Sequence, residues 1–169
     1  LAKLCALGGN RRRPGLLRRI RKRAGNHPGQ AKTHYIILGG VMRGTETDIR
    51  YLDDFTVGEI LTWGSLGVTA EDIIRFGIEF DPIPIHTDAA AAADSQFGTL
   101  IASGWHVAAL TQRMQYECYM KRSSVIASPG VDGMAFLAPV RPGDELSLRA
   151  EITEVRRSKS KSDRGIVHG

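Results

Sequence analysis

From Gly104 to about Met120 the sequence reads as a single helix, and its side chains constrain the architecture more than any other stretch. Trp105, Ala108, Ala109, Gln112, Tyr116 and Tyr119 line one face, and Val107, Leu110, Met114 and Cys118 widen it. Arg113, Glu117 and Lys121 form a charged stripe at ion-pairing spacing. A helix apolar over most of its surface has to be covered on several sides, so a mostly buried cylinder is expected. Strand signals follow it: residues 124–127 up to Pro129-Gly130, residues 133–137 up to Pro139, and a Pro-Gly turn at 140–144. Residues 145–155 then place Leu146, Leu148, Ala150, Ile152 and Val155 on a mostly period-2 pattern, one half-buried strand. Residues 165–169 open a further strand, read as incomplete, with a frayed and association-prone sheet edge. The class is therefore α+β, one long helix wrapped by a curved antiparallel sheet.

Upstream, residues 57–63 carry the apolar pattern of a first strand. Thr69 is an N-cap with Asp72 in the capping-box position, and Ile73, Phe76 and Gly77 recur at helical spacing, extended by Ile74 and Ile78. That helix must end before Pro82, because a residue preceding proline avoids helical dihedrals. Asp81 then sits at a helix exit, heading a loop stiffened by Pro82 and Pro84, with His86 beyond them. Asp88 is placed to cap a short helix over residues 89–93.

The charge is split along the chain. Ten of the 23 Lys and Arg lie in residues 1–42, which hold no acid, leaving 13 basic against 18 acidic residues in the remainder. The first 41 residues read as a basic leader, disordered or non-native, before a domain spanning 42–169; Met42 is the first methionine. A phosphate-binding arm and a transit peptide are the other readings of this stretch. The nucleic-acid reading rests on this tail alone. Cys5 and Cys118 form no disulfide framework or metal-ligand spacing, and no apolar run near the start is long enough to span a bilayer. A soluble, cytoplasmic protein is expected.

A carboxylate and an imidazole fixed on one loop can share a water and pass a proton. A glycine opening a helix offers an amide, reinforced by the helix dipole, that polarises a carbonyl. Asp81, His86 and Gly104 together would equip a site for adding or removing water beside a thioester. The spacing alone is common, and a capping aspartate with a structural histidine also produces it. His106 reads as a packed helix histidine and Cys118 as a core thiol. Ser103-Gly104 lacks the flanking glycines of a nucleophile elbow. Arg156, Arg157, Lys159 and Lys161 read as a solvated basic turn, with coenzyme A phosphates as the alternative.

FDPIPIHTD followed by FGTLIASGW resembles the signature of MaoC-like dehydratases and (R)-specific enoyl-CoA hydratases. Their pattern runs Gly-Asp-x-Asn-Pro-Ile/Leu-His, then a Phe-Gly turn and a glycine opening the long helix. AFLAPVRPGDELSLRAEITEV resembles the same family's Pro-Val-x-Pro-Gly-Asp strand pair, and the similarity runs over residues 51–167. The resemblance implies a hot-dog fold, a dimer, and reversible syn hydration of a trans-2-enoyl thioester to a (3R)-hydroxyacyl thioester. Asp81 and His86 would activate water, and Gly104, with Ser103 beside it, would bind the thioester oxygen. No metal or further cofactor is implied, coenzyme A being part of the substrate. Phe80 and Ile83 stand where the pattern has Gly and Asn, and Ser103 where several hydratases carry His; a branched or modified acyl group is expected. A hot-dog thioesterase and a non-catalytic acyl-thioester binder are the competing readings.

Overall fold

The computed structural model describes residues 3–6, 32–39 and 49–169. Strands β1 (Lys3–Ala6), β2 (Lys32–Leu38) and β3 (Ile60–Gly67) precede helices α1 (Ala70–Phe80), α2 (Pro84–Thr87), α3 (Ala89–Asp94) and α4 (Gly104–Cys118). Strands β4 (Val125–Asp132), β5 (Glu145–Glu151), β6 (Glu154–Arg157) and β7 (Arg164–His168) complete the order. Every strand pair is antiparallel, forming a three-stranded sheet β1-β5-β3 and a four-stranded sheet β4-β2-β7-β6. Strands around one long helix make the hot-dog architecture expected from the sequence.

The alternation in residues 145–155 is real, but the segment is two strands. Leu146, Leu148 and Ala150 face inward from β5, and Ile152 is buried just beyond it. At that point the backbone changes partners. The Ile152 N–H donates to Glu59 O (2.9 Å), whereas the Thr153 N–H donates to His168 O (2.8 Å). The chain thus steps from one sheet to the other here, and a period-2 pattern does not reveal a change of partner strand.

Two apolar clusters meet along α4. Val68, Ile73, Ala102, Val107, Met114, Val140, Leu146 and Leu148 pack where the helix crosses β3 and β5. Tyr35, Ile37, Leu52, Phe55, Tyr119, Ala150, Ile152 and Val167 pack at its C-terminal end. Tyr35 Oη donates to Gln115 Oε1 (2.6 Å), which satisfies a polar side chain buried on α4.

Strands β1 and β2 lie within the first 41 residues, and β2 lies between β4 and β7; of the rest of that stretch only Gly39 is among the described residues. Several expectations need correction. The strand expected from residue 57 is β3 and begins at Ile60, because Thr56 to Glu59 form a turn with Gly58 at φ +87°. β4 runs on through Pro129-Gly130, which an edge strand tolerates. Residues 133–137 form no strand. β7 is paired on both sides, by β2 and β6, so the stretch expected to fray is interior to its sheet. The helix α4 is not buried all round: Trp105 (69% exposed), Ala109, Gln112 and Tyr116 point outward. Only the Val107–Met114 stripe meets the sheet, and in sequence both stripes look equally apolar. Among the described residues, no helix is long and apolar enough to cross a membrane.

Leu146 is fully buried between β5, β3 and α4. Leu146→Ala is expected to lower unfolding free energy by about 2–5 kcal/mol, the range for emptying a closed core site, as measured by urea denaturation; a loss under about 1 kcal/mol would contradict this packing.

Candidate active site

Asp81 terminates α1 as its C-cap, its N–H donating to Gly77 O at 2.9 Å. The Thr69 N-cap at the opposite end of this helix accepts from the Asp72 N–H, as the sequence indicates. After Asp81 the loop closes on itself: Ile83 N–H donates to Asp81 O (2.8 Å), and His86 N–H to Ile83 O (2.8 Å). Pro84 opens α2, where a missing N–H is harmless. Asp88 caps α3 through the N–H groups of Ala90 and Ala91.

The loop is fastened to the strand-like approach to α4, whose residues 100–103 are buried. Ile101 provides both fastenings: its N–H donates to Ile85 O (3.2 Å), and its carbonyl lies 2.7 Å from His86 Nδ1. A carbonyl only accepts, so Nδ1 carries a proton, and in the neutral ring it is Nε2 that holds the lone pair. That Nε2 lies 3.6 Å from Asp81 Oδ2. The separation exceeds a direct hydrogen bond.

Ser103 joins the two halves. It is the N-cap of α4, 1% exposed, with Oγ accepting from the Trp105 N–H (3.2 Å). The same Oγ donates to Asp81 Oδ2 at 2.6 Å. The serine therefore orients the carboxylate while capping the helix whose first residue is Gly104. The positive end of α4 faces the carboxylate end of the site.

Two glycines permit this closeness. A Cβ at Gly77 would stand 2.9 Å from His86 O and 3.0 Å from Thr87 Cγ2, so α1 could not approach the His86 turn. At Gly104 a Cβ would lie 2.5 Å from Phe136 Cε2, because the phenyl ring rests on this first helical residue.

All four sequence-nominated residues, Asp81, His86, Ser103 and Gly104, thus converge on one end of α4. Sequence reasoning missed the Ser103–Asp81 bond and the seat of Phe136. Ser103 carried a signal as an N-cap preceding the long helix, but nothing in sequence announced its second partner. Phe80 and Ile83, the two departures from the family pattern, flank Asp81 and are largely exposed.

His106 lies elsewhere. It is buried, its ring stacked on Phe76 (centroids 4.7 Å, 8° apart), with no hydrogen-bond partner for Nδ1 among the described residues. Burial lowers its pKa from the ordinary 6.5, with Arg75 assisting and Asp72 opposing. This is the packed histidine read from the sequence. Burial also raises the Cys118 thiol, against the opposing charge of Arg50. Of the basic run expected to form a turn, Arg156 and Arg157 lie on β6 instead, where Arg157 pairs with Asp53 (2.5 Å) and Arg156 with Glu154 (3.2 Å). Among the described residues, no three His, Cys, Asp or Glu side chains are grouped to hold a metal ion.

The family model described as MaoC like domain matches residues 57–168. The uncharacterized protein YdeM of Bacillus subtilis (strain 168) is 36% identical over 103 residues, covering 61% of this chain and 73% of that protein. The 3-hydroxybutyryl-CoA dehydratase of Methylorubrum extorquens is 32% identical over 113 residues, covering 65% of this chain and 68% of its own length. Among solved structures, the MaoC-like dehydratase of Rhodospirillum rubrum aligns with TM-score 0.63 and 40% identity, covering 69% of this chain and 79% of that one.

Two outcomes are expected. Gly77→Ala forces backbone apart and is expected to cost about 1–3 kcal/mol, read as a lowered denaturation midpoint; an unchanged midpoint would contradict the contact. For His106, the unfolded chain binds a proton that the folded imidazole refuses between pH 6.5 and its lowered pKa. Stability therefore falls as pH drops through that interval. His106→Phe is expected to flatten this acid-side decline in melting midpoints; an identical decline would assign it to other groups.

Proposed function

The chain belongs to the MaoC-like domain family, and on that basis we propose that it hydrates a 2-enoyl thioester of coenzyme A reversibly. The product is the (3R)-hydroxyacyl thioester. The observation that carries this reading is the convergence of Asp81, His86 and Ser103 on the N-terminus of α4.

In this reading a water donates one hydrogen to the Nε2 lone pair of His86 and the other to the Asp81 carboxylate. The Nδ1–H bond to Ile101 O fixes the tautomer that leaves Nε2 able to accept. The water oxygen attacks C3 of the enoyl group, and its proton passes to the Asp81–His86 pair. Electron density moves through C2 to the thioester oxygen, where the Gly104 N–H stabilises the charge. The pair then returns a proton to C2 on the same face, so H and OH of one water are both accounted for. Dehydration is the reverse. Ser103 holds Asp81 in place throughout. Phe80, Ile83 and Trp105 offer apolar surface to the acyl chain.

The remaining parts of the reading are a cytoplasmic homodimer and no resident cofactor, coenzyme A arriving with the substrate. A second copy of the chain would cover the outward Ala109–Gln112–Tyr116 part of α4.

Hydration of crotonyl-CoA, followed as loss of enoyl absorbance, tests the proposal. Asp81→Asn and His86→Gln are each expected to lower kcat/KM by about 10²–10⁴-fold. Wild-type turnover matched by both variants would sink the assignment. Release of thiol with the double bond retained would make the protein a thioesterase, and binding without turnover would make it a carrier.

A further inference from the structure

Phe136 sits where neither core packing nor strand pairing accounts for it. It belongs to residues 133–137, which form no helix or strand, between β4 and the Pro142-Gly143 turn. Its ring atoms Cε2, Cζ and Cδ2 would lie 2.5, 2.8 and 2.9 Å from a Cβ at Gly104, so the ring is seated on the first residue of α4. Yet the side chain is 52% exposed. A phenylalanine holding the core together would be covered; here one part of the ring is pinned to the helix start and the rest faces outward.

We propose that Phe136 is a specificity-determining wall of the acyl site, excluding substituents at C2 of the enoyl group. The inference rests on the reading above, in which the Gly104 amide holds the thioester oxygen. Atoms within two bonds of that oxygen are the carbonyl carbon, the sulfur and C2. On the sulfur side every coenzyme A thioester carries the same unbranched methylene, so a ring there treats all substrates alike. Only at C2 does the acyl group vary within reach of a ring resting on Gly104. The glycine at 104 then has two uses: it exposes the amide, and it lets the ring come close enough to line the space beside it.

The test compares crotonyl-CoA with its 2-methyl homologue, trans-2-methylbut-2-enoyl-CoA, in the wild type, Phe136→Leu and Phe136→Ala. One methyl admitted to or shut out of an apolar pocket is worth about 10–200-fold in kcat/KM. Phe136→Ala is expected to raise the ratio of branched to unbranched kcat/KM by that factor, with Phe136→Leu in between. A ratio unchanged across the three proteins overturns the inference, whatever happens to absolute rates. Binding of the unreactive butyryl-CoA and 2-methylbutyryl-CoA by calorimetry separates this from the reaction itself. If the wild type hydrates neither enoyl thioester but the affinity ratio shifts in the same direction, the wall stands and the hydratase reading fails. If the wild type binds neither saturated thioester, both fail. Phe136→Leu retains most of the buried volume and serves as the folded reference should Phe136→Ala melt.

Discussion

The hydrogen bond from Ser103 Oγ to Asp81 Oδ2 is the contact on which the rest of the site depends. One hydroxyl does two jobs: it accepts from the Trp105 N–H to cap α4, and it donates its proton to the carboxylate. Capping by serine is worth about 1 kcal/mol, and a hydrogen bond to a charged group about 1.5–3 kcal/mol. Ser103 is almost completely buried, so water is poorly placed to replace it. Without it, the helix N-terminus and the Asp81 loop would be neighbours with no fixed relation.

The surrounding fold holds that serine still. Ile101 and Ala102 are locked by backbone bonds to Ile85 on one side and Val140 on the other. The second bond ties the approach to α4 to the segment leading into β5. β5 then crosses to the other sheet at Ile152–Thr153, so the site is anchored to both halves of the core. From the other direction, α1 reaches the His86 turn only because residue 77 has no side chain. The helix end, the loop and the cap are thus set by backbone contacts, leaving Asp81 and His86 to differ from them in chemistry rather than in position.

What was legible in the sequence is what local chemistry dictates. Thr69 and Asp88 act as caps, Pro82 follows a helix end, and Leu146, Leu148 and Ala150 alternate as half-buried strands do. The four site residues are nominated because an acid, a histidine and a helix-opening glycine fall inside one short stretch resembling a family signature. What was not legible depends on partners distant in sequence. Ser103 and Asp81 are 22 positions apart, and no pattern in either stretch names the other. Tyr35 is core because it packs among residues distant in sequence and Gln115, 80 positions later, takes its hydroxyl. Apolar residues at 133–137 look like a strand, yet no neighbouring strand pairs with them, and Phe136 turns to Gly104 instead.

The central claim is that one water, held between Asp81 and His86, supplies both atoms added across the enoyl double bond at the α4 N-terminus. Hydration of crotonyl-CoA in deuterium oxide, with the product resolved by NMR and chiral separation, tests it most directly. The account predicts a (3R)-hydroxy product carrying one deuterium at C2, delivered to the same face as the hydroxyl. A (3S) product, deuterium on the opposite face, or unhydrated acid with released thiol would contradict it.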